Sequence, residues 1–192
     1  MKLIFASNND HKAEEIRSVL KNKFEILTLK EAGINIDIPE PYDTLEENAA
    51  EKAGVIYQLT ATSCFSEDTG LEVVALNGEP GVKSARYAGN HRSFENNIDK
   101  LLANLDKSPD RRARFRTVVA VIINGKQTLF EGIAEGQITR TKSGDFGFGY
   151  DPVFIPDGAD KTFAEMSMEE KNLYSHRKKA IDKLVAFLND LS

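Results

Sequence analysis

Arg112–Thr139, RARFRTVVAVIINGKQTLFEGIAEGQIT, is the stretch whose reading decides the fold. Asn124-Gly125 separates two runs rich in β-branched and apolar residues. This dipeptide supplies the two positive-φ positions that a tight hairpin turn demands. The reading is therefore two long antiparallel strands, Arg112–Ile123 and Gln127–Thr139. On the first, Arg114, Arg116 and Val118 share one face while Phe115, Thr117 and Val119 share the other. A sheet holding such a hairpin cannot be wholly parallel.

Upstream, the pattern is strand, helix, strand. Leu3–Ala6 is a short apolar run that reads as a buried strand. Ser7-Asn8-Asn9-Asp10 is a turn of cap-type residues, and a helix follows over about His11–Leu20, with Ile16, Val19 and Leu20 on its apolar side. Phe24–Leu29 reads as a second strand. After a loop through Ile38-Pro39-Glu40-Pro41, Thr44 and Glu47 make a capping box that opens a helix running to about Thr60. Cys64-Phe65-Ser66 reads as a strand delivering Glu67 and Asp68 to its end, with Thr69-Gly70 as the turn that stops it. Leu71–Leu76 is a short return, and Ser93–Leu105 a helix with Phe94, Ile98, Leu101, Leu102 and Leu105 at helical spacing.

Downstream of the hairpin come a Gly-rich loop, Gly147–Tyr150, and a strand at Val153-Phe154-Ile155. A short helix over Ser167–Lys171 is opened by a second capping box, Ser167 to Glu170. After a break, a last helix starts near Ser175 and carries Ala180, Ile181, Leu184, Val185 and Leu188. The expected fold is α/β, a long mixed twisted sheet flanked by helices, with residues 1–192 as a single two-lobed domain.

The chain has 192 residues and a net charge of −5. That balance argues against a nucleic acid polymer as partner but not against a small anion held by local cations. The lone Cys64 excludes an internal disulfide and a cysteine-based zinc site, and suits a reducing compartment. The first residues, MKLIFASNND, are too short in apolar run for a signal peptide, and no apolar stretch reaches the roughly 18 residues of a membrane span. The expectation is a cytoplasmic protein without a membrane partner.

Four constellations could carry chemistry. Ser7, Asn8, Asn9 and Lys12 stand at a helix N-terminus after a strand, where unpaired N–H groups and the helix dipole favour an anion; the same turn also reads as an ordinary capped helix with a surface lysine. Glu40, Glu67 and Asp68 are hard oxygen donors suited to Mg²⁺ with water and phosphate oxygens, or simply solvated loop carboxylates. Adjacent residues on a regular strand face opposite ways, so Glu67 and Asp68 share one site only if the strand ends there. Phe148, between Gly147 and Gly149 and followed by Tyr150 and Asp151, offers a ring on which a base could stack, or plugs a hydrophobic loop. Lys171, Ser175, His176 and Arg177 flank a helix start whose donors could point outward together, the bland reading being a core histidine and a surface arginine. Lys52 and Arg86 add cations.

FASNNDHKAEEI, PEPYDTLEENAAEKA, SEDTGLEVVALNGEPGVKSARYAG, FGFGYDPVF and EEKNLYSHR occur in this order. Together they resemble the inosine/xanthosine triphosphate pyrophosphatase family, end to end. The resemblance implies two lobes with an active-site cleft between them and a homodimer. It implies Mg²⁺-dependent attack of water on the α-phosphorus of ITP, dITP or XTP, giving monophosphate and pyrophosphate and keeping such nucleotides out of nucleic acids. Position by position, Ser7, Asn9 and Lys12 match a phosphate-binding turn, and Lys52 and Arg86 match basic cleft residues. Glu40 matches a metal carboxylate. Asp68 matches the catalytic carboxylate of an Asp-Asp-Ser-Gly motif, taken as general base near the metal, with Glu67 as a supporting carboxylate. Phe148 matches a base-stacking ring, Asp151 a residue near the base, and Lys171, Ser175, His176 and Arg177 the nucleobase segment. The sequence departs from the pattern at Glu67, at Phe146, where Gly often stands, and at Lys83, usually apolar or aromatic. A pyrophosphatase of pyrimidine or modified triphosphates and a non-catalytic nucleotide sensor are the competing readings.

Overall fold

The computed structural model describes residues 2–20 and 24–191. Its elements run β1 (Lys2–Phe5), α1 (Asp10–Leu20), β2 (Glu25–Thr28), α2 (Leu45–Thr60), β3 (Cys64–Val73), β4 (Pro80–Gly81), α3 (Phe94–Asn104), β5 (Arg112–Ile123), β6 (Lys126–Ile138), β7 (Phe154–Pro156), α4 (Met168–Tyr174) and α5 (His176–Asp190). One seven-stranded sheet has the order β2-β1-β3-β5-β6-β7, with β4 paired to β3. β1 is parallel to both β2 and β3, whereas β3–β4 and β6–β7 are antiparallel. The expected mixed α/β architecture is what the chain adopts.

The hairpin turns where the sequence says it should. Asn124 and Gly125 have φ of 50° and 78°, so both central residues take the left-handed conformation that matches strand twist. Helix limits follow their caps. Thr44 accepts the Glu47 N–H and Ser93 the Asn96 N–H at the starts of α2 and α3, and the Ser167/Glu170 box opens α4. At α2 the box is only half formed, because Glu47 takes the Thr44 hydroxyl at 2.6 Å.

The chain divides into two compact units, each with its own core. Unit 1 comprises 1–68, 117–132 and 177–192, and unit 2 comprises 69–116 and 133–176. In unit 1, Leu3, Phe5, Ile16, Phe65, Val119, Val121, Ile181 and Leu184 close around β1, α1, β3, β5 and α5. In unit 2, Leu71, Ile98, Leu101, Phe115, Ile138, Phe154 and Phe163 gather β3, α3, β5, β6 and β7.

One expectation is overturned. Thr69-Gly70 does not end the strand: β3 continues for ten residues to Val73. Gly70 is needed for close approach, not for a turn. A Cβ there would lie 2.7 Å from the Gly81 carbonyl oxygen of the paired strand. Glu67 and Asp68 therefore sit mid-strand.

Candidate active site

In unit 1 the alternation of β3 sorts the site. Cys64, Ser66 and Asp68 face α2. The Cys64 thiol reaches the Ala53 carbonyl at 3.3 Å, the Ser66 hydroxyl donates to the Ala49 carbonyl, and Lys52 of the same helix meets Asp68. Phe65 and Glu67 face the other way. Phe65 stacks on Phe5 at 4.9 Å, and Glu67 meets Lys12 of α1 and Arg177 of α5.

On the α2 side, the Lys52 ammonium lies 2.7 Å from Glu40 Oε1 and 3.1 Å from Asp68 Oδ1, so two carboxylates from separate segments converge on one positive charge. Burial lifts the Asp68 carboxyl above the usual carboxylate range, against the pull of Lys52 and Lys12. Burial opposes the Lys52 charge, but Asp68 and Glu40 outweigh it and raise its affinity for the proton. An oxygen pair that already gathers a cation fits a hard divalent ion, with water and phosphate oxygens completing the shell. Among the described residues no three His, Cys, Asp or Glu side chains group as a metal cage. Glu67 thus stands apart from Glu40 and Asp68.

On the opposite face, Lys12 Nζ is 2.5 Å from Glu67 Oε1 and Arg177 Nε is 3.1 Å from Glu67 Oε2, while Arg177 Nη1 pairs with Glu15. The Arg177 guanidinium is 2% exposed. Burial works against its charge, and Glu67 and Glu15 more than restore it. Arg177 is thus held by two carboxylates and is not fanned outward beside His176. Glu15 escaped the sequence reading. Its signal is its spacing: it lies three residues after Lys12 and next to Ile16, on the buried side of α1.

The α1 N-terminus has its expected form, but its side chains work locally. Ser7 Oγ accepts the Asn9 N–H and Asn9 Oδ1 accepts the Lys12 N–H, both at 3.1 Å. Asn9 is therefore the N-cap, Asn8 is exposed, and Lys12 supplies the charge.

Unit 2 holds the second half of the expected set. Lys171 Nζ lies 2.6 Å from Asp151 Oδ2, both side chains being buried, and the same oxygen accepts the Phe148 N–H at 2.9 Å. Asp151 opens a 3₁₀ turn, although a residue before proline usually prefers extended geometry. Lys171 Nζ is 5.4 Å from the centre of the half-buried Phe148 ring, which lies 6.2 Å from Phe94. The glycines flanking it, Gly147 and Gly149, have φ of 75° and 64°. Tyr150 is buried, and its hydroxyl donates to the Ser84 carbonyl at 2.8 Å, a latch more than a ligand group. Phe146 is 69% exposed. α4 runs past Lys171 to Tyr174, so the break is at Ser175, which caps α4. His176 is 2% exposed and stacks on Phe115 at 4.7 Å and 12°. Arg86 stands on a 3₁₀ turn, Ser84–Arg86, beside the exposed Lys83.

A Ham1 family model matches residues 3–187. A Flavobacterium johnsoniae protein named dITP/XTP pyrophosphatase is 50% identical over 188 residues, covering 98% of each chain. A Porphyromonas gingivalis protein of the same name is 50% identical over 188 residues, covering 97% of each. Among solved structures, the Staphylococcus aureus Ham1 protein aligns over 100% of both chains with a TM-score of 0.90 and 39% identity.

Proposed function

The chain belongs to the Ham1 family, and from that premise we propose that it hydrolyses non-standard purine nucleoside triphosphates (ITP, dITP and XTP) to the monophosphate and pyrophosphate. The observation that carries this reading is the buried Asp68 facing α2, its pKa raised by burial, sharing Lys52 with Glu40. A buried carboxylate within hydrogen-bond reach of a cation is placed to act as a general base.

In the proposed reaction Asp68 takes a proton from water as its oxygen bonds to the α-phosphorus. The bond from that phosphorus to the bridging oxygen breaks, and pyrophosphate leaves. A triphosphate carries about four negative charges near neutral pH, so cations must meet it. Lys12, Lys52, Arg86 and the α1 N-terminus are assigned to the phosphates. Glu40 and Asp68 would hold Mg²⁺, which when bound supplies charge neutralisation at the phosphate oxygens. Glu67 is assigned to orienting Lys12 and Arg177.

The base-reading residues we assign are Phe148 as stacking ring, the Asp151–Lys171 pair beside it, and Ser175, His176 and Arg177, the last oriented by Glu15 and Glu67. A 6-oxo purine presents an acceptor where adenine presents an amino group, so fixed donors favour the former and are left unmatched by the latter. A homodimer and a cytoplasmic site complete the reading; the buried, reduced Cys64 suits that compartment, and no helix among the described residues is long and apolar enough to cross a membrane. Light scattering tests the dimer.

Pyrophosphate release from ITP with Mg²⁺, compared with GTP, ATP and dUTP, tests the whole reading. Turnover of ITP and XTP well above the other three is expected. Preference for dUTP would favour the pyrimidine enzyme, binding without turnover the sensor, and equal rates on GTP and ITP would remove the selectivity claim.

A further inference from the structure

α3 carries a polar stripe whose members grip one short segment of unit 2. Asn97, Lys100 and Asn104 recur at helical spacing, so they share a side of the helix. Asn97 is 2% exposed and uses both ends of its amide. Its Oδ1 accepts the Ala88 N–H at 2.7 Å, and its Nδ2 donates to the carbonyls of Ser84 and Ala85 at 3.3 and 3.1 Å. Lys100 Nζ donates to the Tyr87 carbonyl at 2.6 Å and lies 4.4 Å from the centre of the Tyr87 ring. Asn104 Nδ2 donates to the Tyr87 hydroxyl at 2.8 Å, and that hydroxyl also meets Glu79 at 3.1 Å.

The segment so held, Ser84–Ala88, contains the 3₁₀ turn Ser84–Arg86, which has no side-chain cap of its own. Its backbone groups on both sides of Arg86 are fixed from α3. A buried asparagine making three bonds to backbone groups around a single arginine is far more than a helix needs to stay folded. The bonds also define the amide uniquely, since its oxygen meets an N–H and its nitrogen meets two carbonyls.

We propose that Asn97 is a positioning residue that sets where Arg86 presents its guanidinium to the substrate phosphates, with Lys100 as its weaker partner. This rests on the assignment of Arg86 to phosphate binding made above. Removing the clamp lets the turn drift, and a cation displaced by about 1 Å loses much of its transition-state contact.

The test is a double-mutant cycle in full-length protein, read in kcat/KM for ITP well below the melting temperature. Asn97→Ala should lower kcat/KM on the order of ten- to a hundred-fold. In an Arg86→Ala background the same change should cost less than about two-fold, because the residue it serves is gone. Lys100→Gln, at an exposed position, should give a smaller loss that also vanishes in that background. It keeps the question open to answer if Asn97→Ala fails to fold. Amide exchange supplies a readout independent of turnover: the Ala88 amide should lose protection in Asn97→Ala. Equal losses with and without Arg86, or an Arg86→Ala variant as active as the parent, would overturn the proposal. Absence of hydrolysis in the unmodified chain would overturn the functional reading and the role of Asn97 with it. Unchanged Ala88 protection beside normal hydrolysis would overturn the clamp alone.

Discussion

Unit 1 and unit 2 both bury charge, but they do so differently. Unit 1 packs Glu15, Glu67 and Asp68 with Lys52 and Arg177, all buried, and adds Lys12 and Glu40 at the edge. Unit 2 buries one pair, Asp151 with Lys171, inside a shell of Phe148 and Phe163. A dense network of opposite charges suits moving a proton and neutralising phosphates. A single pair among rings suits recognising a flat heterocycle. On the proposed function, then, substitutions in the Asp68–Lys52 and Glu67–Arg177 networks of unit 1 strike kcat and stability, and those at Phe148 and the Asp151–Lys171 pair of unit 2 strike KM and discrimination.

The sharpest way to break that division is Asp68→Asn. Turnover of ITP should fall by about 10²–10⁴-fold with KM within a few-fold of the parent, measured by pyrophosphate release. A large change in KM with kcat retained would move Asp68 out of the chemistry. Arg177→Met comes next. It leaves Glu15 and Glu67 buried without their shared cation and should cost about 3–5 kcal/mol of unfolding free energy in urea. Phe148→Ala tests the other side: binding of ITP should weaken by about 1–3 kcal/mol, read as a rise in KM with kcat little changed.

The smallest effect compares one buried titratable group from each unit. Burial pushes the Cys64 thiol from 9.0 up to about 12, and burial likewise raises the Tyr150 hydroxyl above its usual 10.0. In both cases the folded state holds the proton more tightly than the unfolded chain. The associated stability is complete below the unfolded pKa and is lost as pH rises through the folded one. By pH 10.5 the Cys64 contribution should have fallen by about 2 kcal/mol. Urea unfolding at pH 8 and pH 10.5 should therefore show a shallower alkaline loss in Cys64→Ala. A Tyr150→Phe variant should differ little until pH passes 10, beyond which its loss too should be shallower.

Much of the fold was legible because its signals are local. Asn124-Gly125 needs nothing beyond two residues to turn a hairpin, and Thr44, Ser93 and Ser167 announce their helices through bonds three residues long. Where a decision depended on a distant strand, sequence misled. Gly70 looks like a turn residue until the Gly81 carbonyl is seen beside it, and β4 is two residues long, too short to show any period. The site divides the same way. The α1 N-terminus and Asp68 were readable from type and neighbourhood. Glu15 was not, because its partner Arg177 is 162 positions away. Nor was Asn97, since a polar residue among the apolar positions of α3 carries no mark of the backbone it grips.

The pleat of β3 sorts side-chain contacts between its two faces. Each peptide step hands the next side chain to a different neighbourhood, so position 67 answers to α1 and α5 while position 68 answers to α2. The longer reach of Glu67, where the family pattern carries Asp, can therefore be absorbed among Lys12 and Arg177 without moving Asp68 relative to Lys52. A strand that simply runs on gives the chain two sets of contacts one residue apart, still linked through charge, since Lys12 also acts on Asp68 and Glu67 on Lys52.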